Sequence, residues 1–423
     1  MATKHEDDHH PTTEEPLLPM HAHDHKSETR LQTPKGASIA RSCLNMTNAM
    51  SGVGVLSMPY AVSQGGWLSI AVFFMVAGIC YYTGILIQRC MESSRSIRTY
   101  PDIGEHAFGH KGKVAIAVFL YLELYLVAVS FLILEGDNLD KLAPNLSFRV
   151  LGFIIQGKQM FVMLTGLIIL PTTWLRNLRV LAYVSVGGVM ASMVLLCSLL
   201  WTGMADSGFH QSGTMFNLSG IPTTLGLFFV CFTGHAVFPT IHTSMRDGTQ
   251  FSKVLLISFA LCTLIYGPMA VFGYLMYGEN LESQVTLNFP VGKIYTNIAI
   301  YTTLVNPLTK YALAAAPIAT AIEEWLGCNA RRSTCVFIRT LLLISTVVIA
   351  LTIPFFGYLM AFIGSFLSVT VSVVMPCLCY MKIFQACGGD RLQMGVIIGI
   401  MLFGILVALV GTYSSLSDII NSL

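Results

Sequence analysis

Glu123, Lys310 and His235 are the ionisable side chains that draw attention first, because each falls deep inside a long apolar stretch. At the centre of a bilayer such groups cost about 2.5–3.5 kcal/mol on insertion scales, so they persist where they pair, titrate or line a cavity. Glu123 without a partner takes up a proton, which makes it a candidate proton site; a neutral, hydrogen-bonded interior acid is the other reading. Lys310 is either a tethered cation standing where a coupling ion would otherwise bind or a side chain reaching back to the aqueous edge. His235 titrates in the range useful for proton coupling, or packs as a neutral ring, and His242 is expected two turns on along the same face.

Two of the apolar stretches are interrupted. Asn45–Gln64 reads NMTNAMSGVGVLSMPYAVSQ, and Phe229–Met245 reads FVCFTGHAVFPTIHTSM. Gly54 precedes Pro59, and Gly234 precedes Pro239, by the same five-residue offset. Glycine loosens a helix and proline removes a backbone donor, so each stretch predicts two half-helices joined by unwound backbone. At membrane depth the freed N–H and C=O groups are tolerable only in a protein-lined or watery cavity. The half-helix end near Val53–Leu56 offers free N–H groups and positive dipole, which suit a carboxylate. The opposing end near Phe232–Thr233 offers carbonyls, which suit an ammonium or a metal ion. A carboxylate and an ammonium a few ångströms apart describe an α-amino acid.

Asn48 and Ser51 supply side-chain hydrogen bonds beside the first break and Thr233 beside the second; helix packing is the alternative use of such small polar residues. Tyr81, Tyr82, Tyr121, Tyr125, Tyr301 and Tyr311 either line the site or belong to the core. Of Thr302 and Thr303, adjacent in one span, only one can face a substrate.

The elements that would position these residues are membrane helices. The chain of 423 residues is 54% hydrophobic and only 11% charged, against about 25% charged in soluble domains, and its mean hydropathy is +0.68. A span needs about 20 mostly apolar residues. Eleven fit, near 38–63, 66–89, 115–135, 159–175, 179–203, 221–245, 252–277, 293–321, 335–352, 355–382 and 393–416, with Arg149 and Lys158 interrupting the run before the fourth. The expected fold class is an all-α polytopic membrane protein of eleven transmembrane helices.

Lysine and arginine favour the cytosolic side. With the N-terminus inside, five lie in the tail and fourteen in inner loops, against four in outer loops; Lys310, inside a span, completes the 24. The sequons Asn145-Leu-Ser147 and Asn217-Leu-Ser219 fall in outer loops, the side where glycosylation takes place. Two interrupted spans five segments apart predict an inverted repeat, since an odd number of spans per half inserts the second half upside down. The expected parts are a disordered cytosolic tail (1–35), helices 1–5 (36–203), helices 6–10 (204–382), and an inner loop with helix 11 (383–423).

Eleven cysteines lie in apolar segments or at their inner ends, so no disulfide framework is expected. Cys377-x-Cys379 is too short and apolar for a zinc site, and Cys328 or Cys387 is placed for palmitoylation. No cleavable signal peptide is expected. The tail is polar and reads as disordered, with His21-x-His23-x-His25 as a metal-binding possibility and Glu14-Glu15-Pro16-Leu17-Leu18 resembling a dileucine sorting signal. No enzyme motif, cofactor motif, nucleic-acid signature or dimerisation motif stands out.

The segments Asn48-Ala-Met-Ser-Gly-Val-Gly-Val-Leu-Ser-Met-Pro-Tyr-Ala61, Thr99-Tyr-Pro-Asp-Ile-Gly-Glu-His-Ala-Phe-Gly109 and Asn306-Pro-Leu-Thr-Lys-Tyr311 resemble the amino acid/auxin permease family, in its plant and fungal vacuolar amino-acid transporter branch. The resemblance covers about residues 35–420. It implies an inverted-repeat fold of the leucine-transporter type with one extra helix, substrate held at the breaks in helices 1 and 6, and a proton-driven vacuolar carrier of mainly neutral amino acids. It carries substrate binding onto Asn48, Ser51, Gly52, Val53 and Gly54, and onto Thr233, Gly234 and His235. Some wider-family members use sodium between helices 1 and 8; Lys310 at that position would disfavour it by like charge. An amino-acid sensor, or a carrier of another small molecule such as auxin or a polyamine, remains open at this point.

Overall fold

The computed structural model describes residues 36–144, 146–150, 153–175, 179–209, 213–327, 331–384 and 391–422. The expected tail (1–35) with its histidines and dileucine-like stretch, the sequon residue Asn145, Cys328 and Cys387 lie outside the described residues.

Ser38 opens the first helix as its N-cap, its hydroxyl accepting from the Arg41 N–H at 3.4 Å. That helix, α1 (Ile39–Met50), stops at Ser51 and Gly52; a 3-10 turn, Val53–Ser57, leads into α2 (Met58–Gly65). There follow α3 (Ser69–Glu92), α4 (Tyr100–Phe108) and α5 (His110–Leu142). Two short strands, β1 (Ser147–Val150) and β2 (Phe153–Gln156), pair antiparallel. Next come α6 (Gly157–Thr173), α7 (Arg179–Thr202) and α8 (Ile221–Phe232). Residues 233–237 are unwound before α9 (Phe238–Ser244). The rest comprises α10 (Phe251–Tyr277), α11 (Val285–Asn288), α12 (Ile294–Trp325), α13 (Arg332–Thr352), α14 (Phe356–Phe362), α15 (Met375–Phe384) and α16 (Arg391–Ser422).

Among the described residues, seven helical runs are long and apolar enough to cross a membrane: Ser69–Glu92, His110–Leu142, Gly187–Ser207, Gly248–Asn280, Arg332–Thr352, Phe356–Phe384 and Arg391–Ser422. The chain is a polytopic membrane protein. The all-α expectation needs one amendment, the β1–β2 hairpin, which occupies the region where Arg149 interrupts the apolar run. The span expected at 115–135 is also extended: α5 continues to Leu142, because its polar far end has partners. Asp137 pairs with Lys158, and Lys141 donates to the Leu287 and Phe289 carbonyls at 2.6 Å each.

Hydrogen bonds sort the segment ends into two groups. At the end where α1 begins, the Ala37 N–H donates to the Ser244 carbonyl at 2.8 Å and the Arg246 N–H returns to the Ala37 carbonyl at 3.0 Å. There too Ser252 bonds Gln88, and Arg339 bonds the Thr173 carbonyl and Glu323. At the far end the Asn217 N–H donates to Gly65, Ser57 to Ser283 and Lys158 to Pro354. α13 and α16 bury the least of their apolar surface and the Phe356–Phe384 run the most, so the latter is a central element and the former face lipid.

The central run is irregular. Ile363–Ser368 and Thr370–Val374 are wide π turns, a form that collects at functional positions. Beside them Gly226 and Gly364 let two backbones touch: a Cβ on Gly364 would run into the Gly226 carbonyl. Small residues at such crossings replace the hydrophobic drive that helices lack in lipid.

Candidate substrate site between two broken helices

α1 and α8 are each 12 residues long, each ends in unwound backbone, and each is followed by a short half-helix with proline in its first turn. Pro59 and Pro239 therefore sit where the missing N–H would have had no intrahelical acceptor anyway. The two breaks fit against each other. A Cβ on Gly54 would stand 2.5 Å from Cys231 Sγ, and one on Gly234 would stand 2.8 Å from Met50 Cγ. Neither glycine has a positive φ; what each position requires is absence of a side chain.

A helix end leaves its last carbonyls without partners, and at α1 most of them have found one. The Ser51 N–H donates to Thr47 O at 2.7 Å, Lys310 Nζ to Asn48 O at 3.0 Å and Ser51 O at 2.7 Å, and Tyr266, fully buried, to Met50 O at 2.9 Å. A fixed ammonium thus occupies the negative end of the α1 dipole. At α8, among the described residues, the Thr233 hydroxyl turns back, donating to Phe229 O at 2.8 Å.

Between the breaks lies a cavity of about 170 Å³. Gly52, Val53 and Gly54 line it from the first break, Thr233 and Gly234 from the second, Glu123 from α5 and Lys310 from α12. Its remaining wall includes Leu124, Val127, Phe131, Val230 and Met360. The cavity is therefore apolar apart from backbone ends, the Thr233 hydroxyl and two side chains of opposite charge type. Glu123 Oε1 accepts from Ser368 Oγ at 2.6 Å, and Ser368 closes the first π turn.

Three of the residues singled out from sequence lie elsewhere. Ser51 sends its hydroxyl to Ser192 at 2.8 Å and reaches Lys310 only through its carbonyl. Asn48 likewise meets Lys310 through its carbonyl, while its side chain lies over Gly188 close to Asn306. The His235 ring turns away to α3, within hydrogen-bond distance of Thr83 Oγ1 (3.0 Å) and Cys80 O (3.1 Å), and packs on Phe238. The unwound residues between His235 and His242 take the two rings off any common helix face. Thr303 is buried beside the first break and Thr302 lines a separate groove on α12; both hydroxyls bond their own helix. Tyr311 is a core residue bonded to Thr346 at 2.6 Å.

Tyr266 and Ser368 were not anticipated. Tyr266 carries no signal in a run of apolar residues. Ser368 belongs to a series, Ser365, Ser368 and Ser372, that is unusual for a lipid-facing helix and marks a polar inner face.

Residues 35–417 match the family described as transmembrane amino acid transporter protein. The chain belongs to that family. Among its relatives, amino acid transporter AVT1I of Arabidopsis thaliana is 47% identical over 393 residues, covering 91% of this chain and 96% of the relative. Amino acid transporter AVT1J of the same plant is 47% identical over 413 residues, 96% of this chain and 97% of the relative. The vesicular GABA transporter of Caenorhabditis elegans is 24% identical over 413 residues, 91% of this chain and 81% of the relative. The amino acid/auxin permease assignment made from the three segments holds, and membership is that of a non-enzymatic carrier family.

Proposed function

We propose that the protein is a secondary active transporter of mainly neutral amino acids, driven by protons, in the vacuolar membrane. The observation that carries this reading is the single cavity shared by both helix breaks. In this reading the N–H groups at Val53–Val55 hold the substrate carboxylate, and the open carbonyls at the end of α8, beside Thr233 and Gly234, hold its ammonium. The apolar wall of Leu124, Val127, Phe131, Val230 and Met360 takes a neutral side chain, since burying an unpaired charge there would be costly.

The proposed architecture is eleven helices, with residues 36–203 and 204–382 as inverted repeats, 383–423 adding the last helix, and the N-terminus cytosolic. The matched 12-residue half-helices and first-turn prolines support the repeat. Alternating access would then swing the half-helices about the cavity, α1 with α9 at one end and α2 with α8 at the other. The Ala37 bonds to Ser244 and Arg246 tie the first pair, and the Thr224 hydroxyl, donating to Ala61 O at 2.9 Å, ties the second.

Lys310 supports protons over sodium, because its ammonium fills the carbonyl end of α1 where a cation would compete for the same acceptors. Glu123, in the same cavity, is the proposed proton carrier. His235, turned to α3, is assigned to holding the second break against Thr83. The test is uptake of a panel of labelled amino acids into liposomes containing the purified protein, under an imposed proton gradient. Neutral amino acids accumulate and an uncoupler abolishes it; accumulation with sodium alone sinks the proton assignment, and no uptake of any panel member sinks the transporter reading.

A further inference from the structure

One buried acid has no part in the site above. Glu135 is 1% exposed, and its Oε1 has no hydrogen-bond partner among the described residues. Four-residue steps along α5 lead from Glu123 through Val127 and Phe131 to Glu135, each step drifting about 40° around the helix, and the first three of these line the central cavity. Glu135 stands about 18 Å further along the helix axis than Glu123.

Three residues beyond it a polar chain begins. Asn138 donates to Gln284 at 2.7 Å, Gln284 donates to Asp137 at 2.7 Å, and Asp137 pairs with Lys158. Asp137 and Lys158 line a second cavity of about 390 Å³ at the far end of the bundle. Glu135 therefore lies, along α5, between the level of the central cavity at Phe131 and that of the far-end cavity at Asp137. α11 packs against α5, α2 and the 3-10 turn at this level, and its Thr286 is fully buried with a hydroxyl that has no partner among the described residues.

The titratable groups on the elements packed here are few. Lys158 of α6 is engaged by Asp137 and Pro354, Tyr60 of α2, Tyr358 of α14 and Glu282 before α11 line the far-end cavity, Asp140 of α5 lies against Gly157, and the Tyr295 hydroxyl of α12 has no partner among the described residues. Lys310 of α12 is held by the α1 carbonyls, and Arg339 of α13 by Glu323. On α5 itself Asp137 and Lys141 have the partners given above. None of these bonds reaches Glu135.

We propose that Glu135 is the proton-binding residue of the far-end gate, and that its neutral form lets the layer between the cavities close dry over the substrate. A hydronium ion in the far-end cavity gives its proton to a Glu135 carboxylate oxygen and leaves water behind. Ionised, the carboxylate demands hydration that only an opened layer supplies. Closure and protonation are thus one event, and a proton enters with each closing. This rests on the proton-coupled reading above and places a second acid on the proton's route.

The test uses the full chain in liposomes with Thr286→Cys as a reporter of opening and Glu282→Cys, already exposed to the far-end cavity, as the reference thiol. A membrane-impermeant maleimide is applied from the far-end side at acidic and at mildly alkaline pH. Normalised to the reference thiol, whose own reactivity rises with thiolate fraction, the reporter labels about tenfold faster at alkaline pH. Glu135→Gln abolishes that normalised difference and leaves the reporter slow at both pH values, while Glu135→Asp retains it. A wild-type ratio in Glu135→Gln overturns the proposal, as does equal labelling in the parent reporter. Proton-driven uptake in the same liposomes is read separately. Its absence beside a pH-dependent gate defeats proton-coupled transport and leaves the gate standing, whereas its presence beside a pH-indifferent gate does the reverse.

Discussion

Gly54 lies against Cys231 so closely that a Cβ on the glycine would stand 2.5 Å from the thiol sulfur, with the Cys231 Cα and Cβ at 3.6 and 3.7 Å. The sulfur is therefore the whole obstacle. Overpacking of this kind costs about 1–3 kcal/mol. Gly54→Ala lowers transport roughly tenfold or more while the protein still inserts, and Cys231→Ala in the same chain restores most of the rate. Uptake in the single and double variants, with surface labelling to confirm insertion, is the measurement; unchanged uptake in Gly54→Ala removes the first break from the site.

Lys310 makes two charge-assisted hydrogen bonds to the end of α1, and such bonds are worth about 1.5–3 kcal/mol each. Lys310→Gln shortens the reach and drops the charge, so transport falls at least about tenfold. Wild-type uptake is the same in sodium and in choline medium. A requirement for sodium would show that the ammonium does not stand in for a metal ion.

Glu123 and Ser368 share a short hydrogen bond in the cavity wall. Glu123→Gln keeps an acceptor for Ser368 but cannot release a proton, so uptake becomes flat with pH while exchange of internal for external substrate continues. Ser368→Ala keeps the acid and changes rate by less than about tenfold. A pH profile in Glu123→Gln that overlays the wild type reduces Glu123 to packing.

At the α1 end, Thr99 and Asp102 form a capping box on α4, with the Thr99 N–H donating to Asp102 Oδ2 at 2.9 Å. Partial burial pushes the Asp102 carboxyl up, but hydrogen bonds from Thr99 and Arg98, together with Lys113, outweigh it and hold the group below the usual carboxylate range. A lowered folded value means the cap contributes above the unfolded pKa of about 3.9 and is lost as pH falls through the folded value. Asp102→Ala therefore costs about 1 kcal/mol near neutral pH, and the difference from wild type vanishes in acid. Hydrogen exchange of the Tyr100–Phe108 amides against pH measures it.

Both breaks were legible in the sequence because glycine and proline act on the backbone itself, and their offset needs no neighbour to have meaning. Cavity-facing Glu123 and Lys310 were legible for a related reason: a charge in an apolar run must go inward. Orientation at the breaks was not legible. Helical period assigns a face only while the helix lasts, and Ser51 and His235 lie where it has stopped, so their side chains went to Ser192 and to α3. Glu135 escaped notice because hydropathy placed it at the edge of a span, whereas Asp137 and Asn138, held by Lys158 and Gln284, let α5 run on past it. The hairpin at 147–156 depends on cross-strand pairing, which a single apolar profile does not encode.

The bonds from Ala37 to Ser244 and Arg246 carry a kinetic consequence. They join the start of α1 to the end of α9, so moving one half-helix without the other first breaks two backbone hydrogen bonds. In the proposed alternating access, joint opening of the pair avoids that cost, at about 0.5–1.5 kcal/mol per bond. Time-resolved probes placed on α1 and on α9 would record the same single relaxation.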